Sequence, residues 1–518
     1  MKRVLLVMLA LLAVAGIVGA QSKGQEIIMV NGAEPQTLDP HHIEGVPEHR
    51  IFMALFEGLT IHDPKTNRAI PGVAEKWTFS RDMKTVTFKL RKSVWSDGTP
   101  VTAKDFVESW KRKLDPNEAA QYADLLYVVA GAQEYNTGKA GPDALKVRAV
   151  DDYTFEVTLV GPTPHFPDMV AHYAFAAVPM HAVKKFGLDW VKPGNFVGNG
   201  PFTLQEWRPQ ERLVFTRNSK YWDDKSVKLQ KITLLPIDDL STAYQMYKAG
   251  QVDWIDAVPL ELMDEIKLRK DFQNAPYYGT YYYIINVTRK PLDDPRVRKA
   301  LSMAFDRQAL VDKVTKGGQF PAFTFVPPSA GFTPPKGLGY NIEQAKKLLA
   351  EAGYPDGKGF PTFQILYNTS SGHQRIAAFI QEEWKRNLGI NVTLINQEWS
   401  TYLDTRSQSH DFDIARAGWI GDYLDPSTFS DMWIIDGTQN DGLYNSKEYT
   451  DLIFKARTQS GAARMKTLMQ AEDVLIMKDH AIIPIYFYTT QNMIDLDKWG
   501  GWFKAPLGSH PWKYIYRK

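Results

Sequence analysis

The chain of 518 residues contains no cysteine. That excludes disulfides, a thiolate metal site, a cysteine nucleophile and a lipid-modified cysteine. An excess of charge is lacking too, with 61 Lys and Arg against 59 Asp and Glu, a formal net charge of +2. Such a balance argues against nucleic acid or an anionic membrane as the main partner. Catalytic signatures are absent: there is no H-E-x-x-H, no G-x-S-x-G and no Walker-type loop. Gly198-Asn199-Gly200-Pro201 lacks the third glycine and the following helix of a dinucleotide site, so it reads as a turn. His41-His42 has no carboxylate or histidine partners at helical spacing and reads as two surface or hydrogen-bonded histidines rather than metal ligands. No cofactor and no metal is expected. There is no internal repeat, no low-complexity tract and no long charge run.

What is present begins at the N-terminus. Lys2 and Arg3 give a positive region, Val4 to Val18 an apolar one, and Val18-Gly19-Ala20 a small-residue cleavage pattern. This is the pattern of an export signal cleaved after Ala20, too short for a membrane anchor. No other run reaches membrane-spanning length. An exported chain without a lipid-modified cysteine is expected in a periplasm, with no stable membrane anchor. Its length predicts two or three domains. The 24 Tyr, 26 Phe and 14 Trp suit packed cores and also an aromatic-walled ligand cavity.

Along the chain, Glu26 to Asn31 reads as a strand and Ala33 to Pro40 as a proline-bounded loop. Ile51 to Leu59 reads as a helix, and Trp77 to Leu90 carries the period-two alternation of a half-buried strand. Thr102 caps a helix running through Lys113, and two strands flank Asp151-Asp152. This order fits an α+β domain. Further on, Asp294 caps a helix with Pro295 in its first turn, and Val297, Leu301, Phe305 and Leu310 lie roughly along one face. Ile342 to Ala352 is an amphipathic helix stopped by Gly353. The order strand Phe363 to Tyr367, helix Gln374 to Leu388, strand Ile390 to Ile395 predicts a parallel crossover. Met465 to Lys478 reads as a late helix and Ile482 to Tyr488 as a buried strand.

One stretch concentrates unusual chemistry: Ala415-Arg416-Ala417-Gly418-Trp419-Ile420-Gly421-Asp422-Tyr423. The carboxylate of Asp422 sits among aromatic, small and apolar residues, where a charge is costly unless paired. Gly418 and Gly421 bring bare backbone close to whatever lies alongside. Such parts suit a site that holds one free amine and offers backbone hydrogen bonds. The other reading of the same residues is a β-bulge beside a structural Asp–Arg pair.

Several blocks in one order resemble the oligopeptide-binding proteins of bacterial ABC importers, in the peptide/nickel-type extracellular solute-binding family. They are Gln36 to Glu48, Leu55-Phe56-Glu57-Gly58-Leu59, Pro71 to Trp77, Trp95 to Phe106, Tyr367-Asn368-Thr369-Ser370, Asn396-Gln397-Glu398-Trp399 and the stretch through Tyr423. The resemblance runs from about Gln25 to the C-terminus. It implies an α/β fold of two lobes, the two-lobed periplasmic binding protein fold, hinged and carrying an additional third α+β domain. The implied division is a signal peptide over 1–20, lobe 1 over 21–57, the additional domain over 58–181, lobe 1 again over 182–282, lobe 2 over 283–487, and lobe 1 once more over 488–518.

The resemblance also implies a site. A short peptide lies extended between the lobes and pairs with backbone of Glu44, Gly45 and Val46 on one side and Gly418, Trp419 and Ile420 on the other. Asp422 matches the aspartate that holds the peptide amine. Arg416 and His373 match two of the groups that meet its carboxylate. Thr315 and Lys316 straddle the place of a third cation, and Ile420 replaces a small thiol residue. Tyr122, Tyr277, Tyr282, Trp399, Leu403 and Arg406 match pocket-lining positions. The partners implied are short peptides and, transiently, a membrane-embedded ABC permease; the chain is expected to act as a monomer. A receptor of the same fold for an oligosaccharide, a nickel complex or haem, and a secreted hydrolase, are the alternatives. The set Asp422, Arg416 and His373 favours a zwitterionic peptide over a sugar, and the missing nucleophile and metal motifs weigh against a hydrolase.

Overall fold

The computed structural model describes residues 24–329 and 331–518; the export leader read over residues 1–20 lies outside them. Two large sheets and one smaller one organise the rest. The seven-stranded sheet runs Phe202–Arg208, Arg212–Arg217, Lys231–Leu235, Glu26–Val30, Trp254–Ile255, Asn492–Ile494, Phe272–Gln273. The six-stranded sheet runs Phe320–Pro321, Ile482–Thr489, Pro276–Ile285, Ile414–Ile420, Phe363–Asn368, Val392–Gln397. A four-stranded antiparallel sheet, Ala74–Phe79, Thr85–Leu90, Thr154–Thr158, Val147–Asp151, sits with its helices between the first and later strands of the seven-stranded sheet in sequence.

Local chemistry accounts for many of the elements. Helix Ala103–Leu114 starts with a full capping box between Thr102 and Asp105. Asp294 accepts a hydrogen bond from the Arg296 amide and starts Pro295–Met303. Helix Ser371–Leu388 stops at Gly389 in the left-handed region and returns the chain to Val392–Gln397, parallel to Phe363–Asn368. Elsewhere the boundaries differ from the sequence reading. The early helix is Val46–Leu55, not 51–59, because Pro47 takes its first turn. The run 77–90 is not one strand but the hairpin Ala74–Phe79 and Thr85–Leu90. Val297, Leu301, Phe305 and Leu310 are all buried, yet the first helix ends at Met303 and Arg307–Leu310 starts anew behind the Asp306 cap.

Among the described residues the chain passes between the two large sheets twice, at 274–275 and at 490–491. These segments bond to each other: the Thr490 amide donates to the Ala275 carbonyl (2.9 Å), and Asn274 Nδ2 donates to the Thr490 carbonyl (2.8 Å). The changeovers thus fall before Pro276 and after Thr489. The reason is that Pro276–Ile285 is one continuous strand, laddered to both neighbours in the six-stranded sheet. Two short crossing segments leave little to resist rotation of one sheet against the other.

Candidate functional site

A cavity of about 430 Å³ lies between the two large sheets. Trp254, Ile255 and Asn492 of the first sheet face Asn368, Arg416, Gly418 and Tyr488 of the second across it. Tyr122, His172 and Tyr173 enter from the α+β region. Of the residues singled out from the sequence, Gly45, Val46, Tyr122, Tyr277, His373, Trp399, Arg416, Gly418, Trp419, Ile420 and Asp422 line this cavity. Glu44, Tyr282, Leu403 and Arg406 do not. Tyr282 is 2 % exposed and packs edge-on against Phe325 and Trp433, and Leu403 is core.

Arg406 is not a wall residue but a tie. It pairs with Glu44 and also reaches Asp441 Oδ2 at 2.5 Å, all three side chains being buried. Other contacts close the same gap. Trp399 Nε1 donates to Glu48 Oε1 (3.1 Å) on one rim. On the other rim Lys316 Nζ lies 2.5 Å from Asp264 and Arg375 lies 3.4 Å from Glu261. Lys316 therefore points to a surface acid, while Thr315 and Gln319 line the cavity nearby. Glu48 itself is buried, with Oε2 unpartnered among the described residues. Burial, opposed by the Trp399 hydrogen bond, pushes its carboxyl up to about 8.

Strand Ile414–Ile420 offers an open edge. One side is fully laddered to Pro276–Ile285, from Ile414↔Ile285 to Ile420↔Gly279. The other side pairs with Phe363–Asn368 only at Ile414 and Ala415. The Tyr402 hydroxyl donates to the Arg416 carbonyl, so that carbonyl faces away from Pro276–Ile285. Backbone polar groups alternate sides along a strand, so those of Gly418 and Ile420 face the same open side. No side chain fits at two glycines here. A Cβ on Gly418 would stand 2.3 Å from Tyr488 Oη, and one on Gly45 (φ 99°) would stand 2.8 Å from the Trp399 ring.

Two charges flank the open backbone, Arg416 within the strand and Asp422 two residues past its end. Arg416 donates to Asn368 Oδ1 (3.1 Å) and Tyr488 Oη (2.9 Å), with its guanidinium over the Tyr281 ring at 4.7 Å. No carboxylate pairs with it among the described residues. His373 lies beside it, its Nδ1 3.3 Å from Tyr281 Oη. Burial first, and the Arg416 charge second, hold its imidazole well below the ordinary histidine value. Six residues further on, Asp422 Oδ1 lies 3.2 Å from His172 Nε2, and Oδ2 accepts from Thr428 Oγ1 at 3.2 Å. The cavity thus has an acid end, a guanidinium end and free backbone between.

The family model described as bacterial extracellular solute-binding proteins, family 5, matches residues 68–441. The chain belongs to the family 5 bacterial extracellular solute-binding proteins. It is 41 % identical over 509 residues to the periplasmic oligopeptide-binding protein OppA of Salmonella typhimurium, covering 95 % of this chain and 92 % of that protein. The solved Haemophilus influenzae OppA in complex with RPPGFSPFR is 36 % identical, with a TM-score of 0.91 over 96 % of this chain and 99 % of that one. The Escherichia coli murein tripeptide binding protein MppA is 38 % identical; its structure scores 0.91, and its unliganded open form scores 0.63, over 96 % of this chain and 99 % and 98 % of theirs. The present arrangement is nearer to that of the peptide complex than to the open form.

Sequence reasoning missed His172, His49, Glu48, Asp441 and Tyr488. His49 and Glu48 directly follow the Glu44-Gly45-Val46 block, and His172 stands in the aromatic run 172–175, but nothing in the order of residues shows that they meet the cavity or its ties.

Proposed function

We propose that this family 5 solute-binding protein captures short peptides in its closed inter-lobe cavity and delivers them to an ABC permease from the periplasm. The observation that carries the reading is the pair of unsatisfied ends along one open strand edge. Among the described residues Arg416 lacks an acidic partner, and Asp422 has a hydroxyl donor and a close imidazole but no Lys or Arg. A zwitterion with an extended backbone satisfies both ends and the Gly418 and Ile420 backbone between them. The names of the relatives, oligopeptide-binding and murein tripeptide-binding, support the same class of ligand.

In this reading lobe 1 carries the seven-stranded sheet, lobe 2 the six-stranded sheet and the third domain the four-stranded sheet. The crossings at 274–275 and 490–491 serve as the hinge. The ligand touches both lobes, so it favours the closed state by its differential affinity. Side-chain selectivity is low because backbone and termini dominate. The protein acts as a monomer after cleavage at Ala20, catalyses nothing and meets the permease transiently. Native mass spectrometry of freshly purified protein tests the reading: co-purified short peptides are expected. A single bile acid, sugar or metal complex at full occupancy contradicts it.

A further inference from the structure

The amine end contains a side chain that the reading above leaves without a role. His172, 1 % exposed, caps the short helix Tyr173–Phe175, and its Nδ1 accepts the Ala174 amide at 3.3 Å. A ring nitrogen that accepts an N–H carries no proton itself. The single proton of the ring is then on Nε2, which lies 3.2 Å from Asp422 Oδ1. A second proton has no place on Nδ1 without loss of the Ala174 bond.

The groups around the ring fit this assignment. Tyr173 packs at 3.8 Å between centroids, Tyr122 at 5.2 Å and His49 at 5.9 Å, with His62 stacked behind His49 at 6.5 Å. Burial first, then His172, His62 and Arg50, hold the His49 imidazole well below its ordinary value, and burial brings His62 down to about 4. Glu44 and Glu48 act on Tyr173 from farther off. On its other oxygen Asp422 takes the Thr428 hydroxyl, whose oxygen already receives the Asp422 amide at 2.9 Å. Oδ2 thus takes a hydroxyl donor, Oδ1 stands against the edge of the His172 ring, and no Lys or Arg pairs with either among the described residues.

We propose that His172 is a positioning residue for the amine site. Fixed as the Nε2-protonated tautomer by the Ala174 amide, it orients Asp422 from the third domain and leaves the carboxylate's charge for the ligand ammonium. Recognition of a free amine then depends on the third domain being seated against the strand that bears Asp422. The inference rests on the peptide reading, but the tautomer can be measured without any ligand.

Two measurements test it. In ¹⁵N-histidine-labelled protein at pH 7, the His172 correlations should show a proton on Nε2 and none on Nδ1; an Nδ1–H or doubly protonated ring overturns the proposal. Calorimetry then compares tetra-alanine with N-acetyl-tetra-alanine. His172→Gln, which can present an N–H, should retain most of the wild-type preference for the free amine. His172→Phe should lower free-amine affinity at least about tenfold, the loss of one close polar contact to a charged group, and leave the acetylated peptide unaffected. Asp422→Asn separates the two levels. If Asp422→Asn abolishes the preference and His172→Phe does not, the role of His172 is overturned. If Asp422→Asn leaves the preference intact, the peptide reading itself fails. Should His172→Phe not fold, the tautomer measurement still decides.

Discussion

Glu44 and Arg406 form a buried ion pair although 362 residues separate them in sequence. Glu44 precedes helix Val46–Leu55, and Arg406 follows Trp399–Leu403 and also holds Asp441. The cluster joins chain segments on the two sides of the cavity, so it is expected to favour the closed arrangement.

Arg406→Met should therefore shift the protein towards the open form. Loss of the guanidinium leaves Glu44 and Asp441 facing each other without a cation, a cost of about 3–5 kcal/mol to the closed state. Small-angle scattering with saturating peptide should show a larger radius of gyration than the wild-type complex, and calorimetry a matching loss of affinity. An unchanged radius and affinity would show that the cluster does not hold the lobes.

Glu48 gives the closed fold a pH dependence. Its carboxyl is raised from an ordinary 4.5 to about 8, chiefly by burial. A raised folded-state value means the stabilising contribution is complete below about pH 4.5 and is lost as pH rises through about 8. The slope from this one group is at most about 1.4 kcal/mol per pH unit. Glu48→Gln, neutral at every pH, should melt close to wild type at pH 5 and above it at pH 8. A wild-type-minus-variant difference that does not change with pH would contradict the buried, protonated assignment.

Arg416 should read the ligand's carboxylate. Arg416→Met is expected to weaken binding of a peptide with a free C-terminus by about 2–5 kcal/mol and to leave its C-terminal amide little changed. Equal losses for both forms in titration calorimetry would make Arg416 a structural part of the wall instead.

The sequence made the crossover units legible because their signals are local. Ser371–Leu388 has its stripe, its Gly389 stop and its flanking strands within forty residues of chain. The strand edge at Gly418 to Ile420 was legible through its glycines and its resemblance to a family. What was not legible depends on distant partners. Tyr282 and Leu403 read as wall residues but are buried in the core, Tyr282 under Phe325 and Trp433, neighbours distant in sequence. Arg406 read as wall and is a tie, because its acids lie 362 residues before it and 35 after it. His172 gave no signal at all, since its meaning lies in Asp422, which another domain presents.

The central claim is that a peptide's free amine is bound by Asp422 in the closed cavity. Isothermal titration of wild type and Asp422→Ala with tetra-alanine and its N-acetyl form measures this directly. The wild type should prefer the free amine, and Asp422→Ala should lose about 3–5 kcal/mol for it with little change for the acetylated peptide. Equal binding of the two peptides by the wild type, or undiminished free-amine affinity in Asp422→Ala, would contradict the claim.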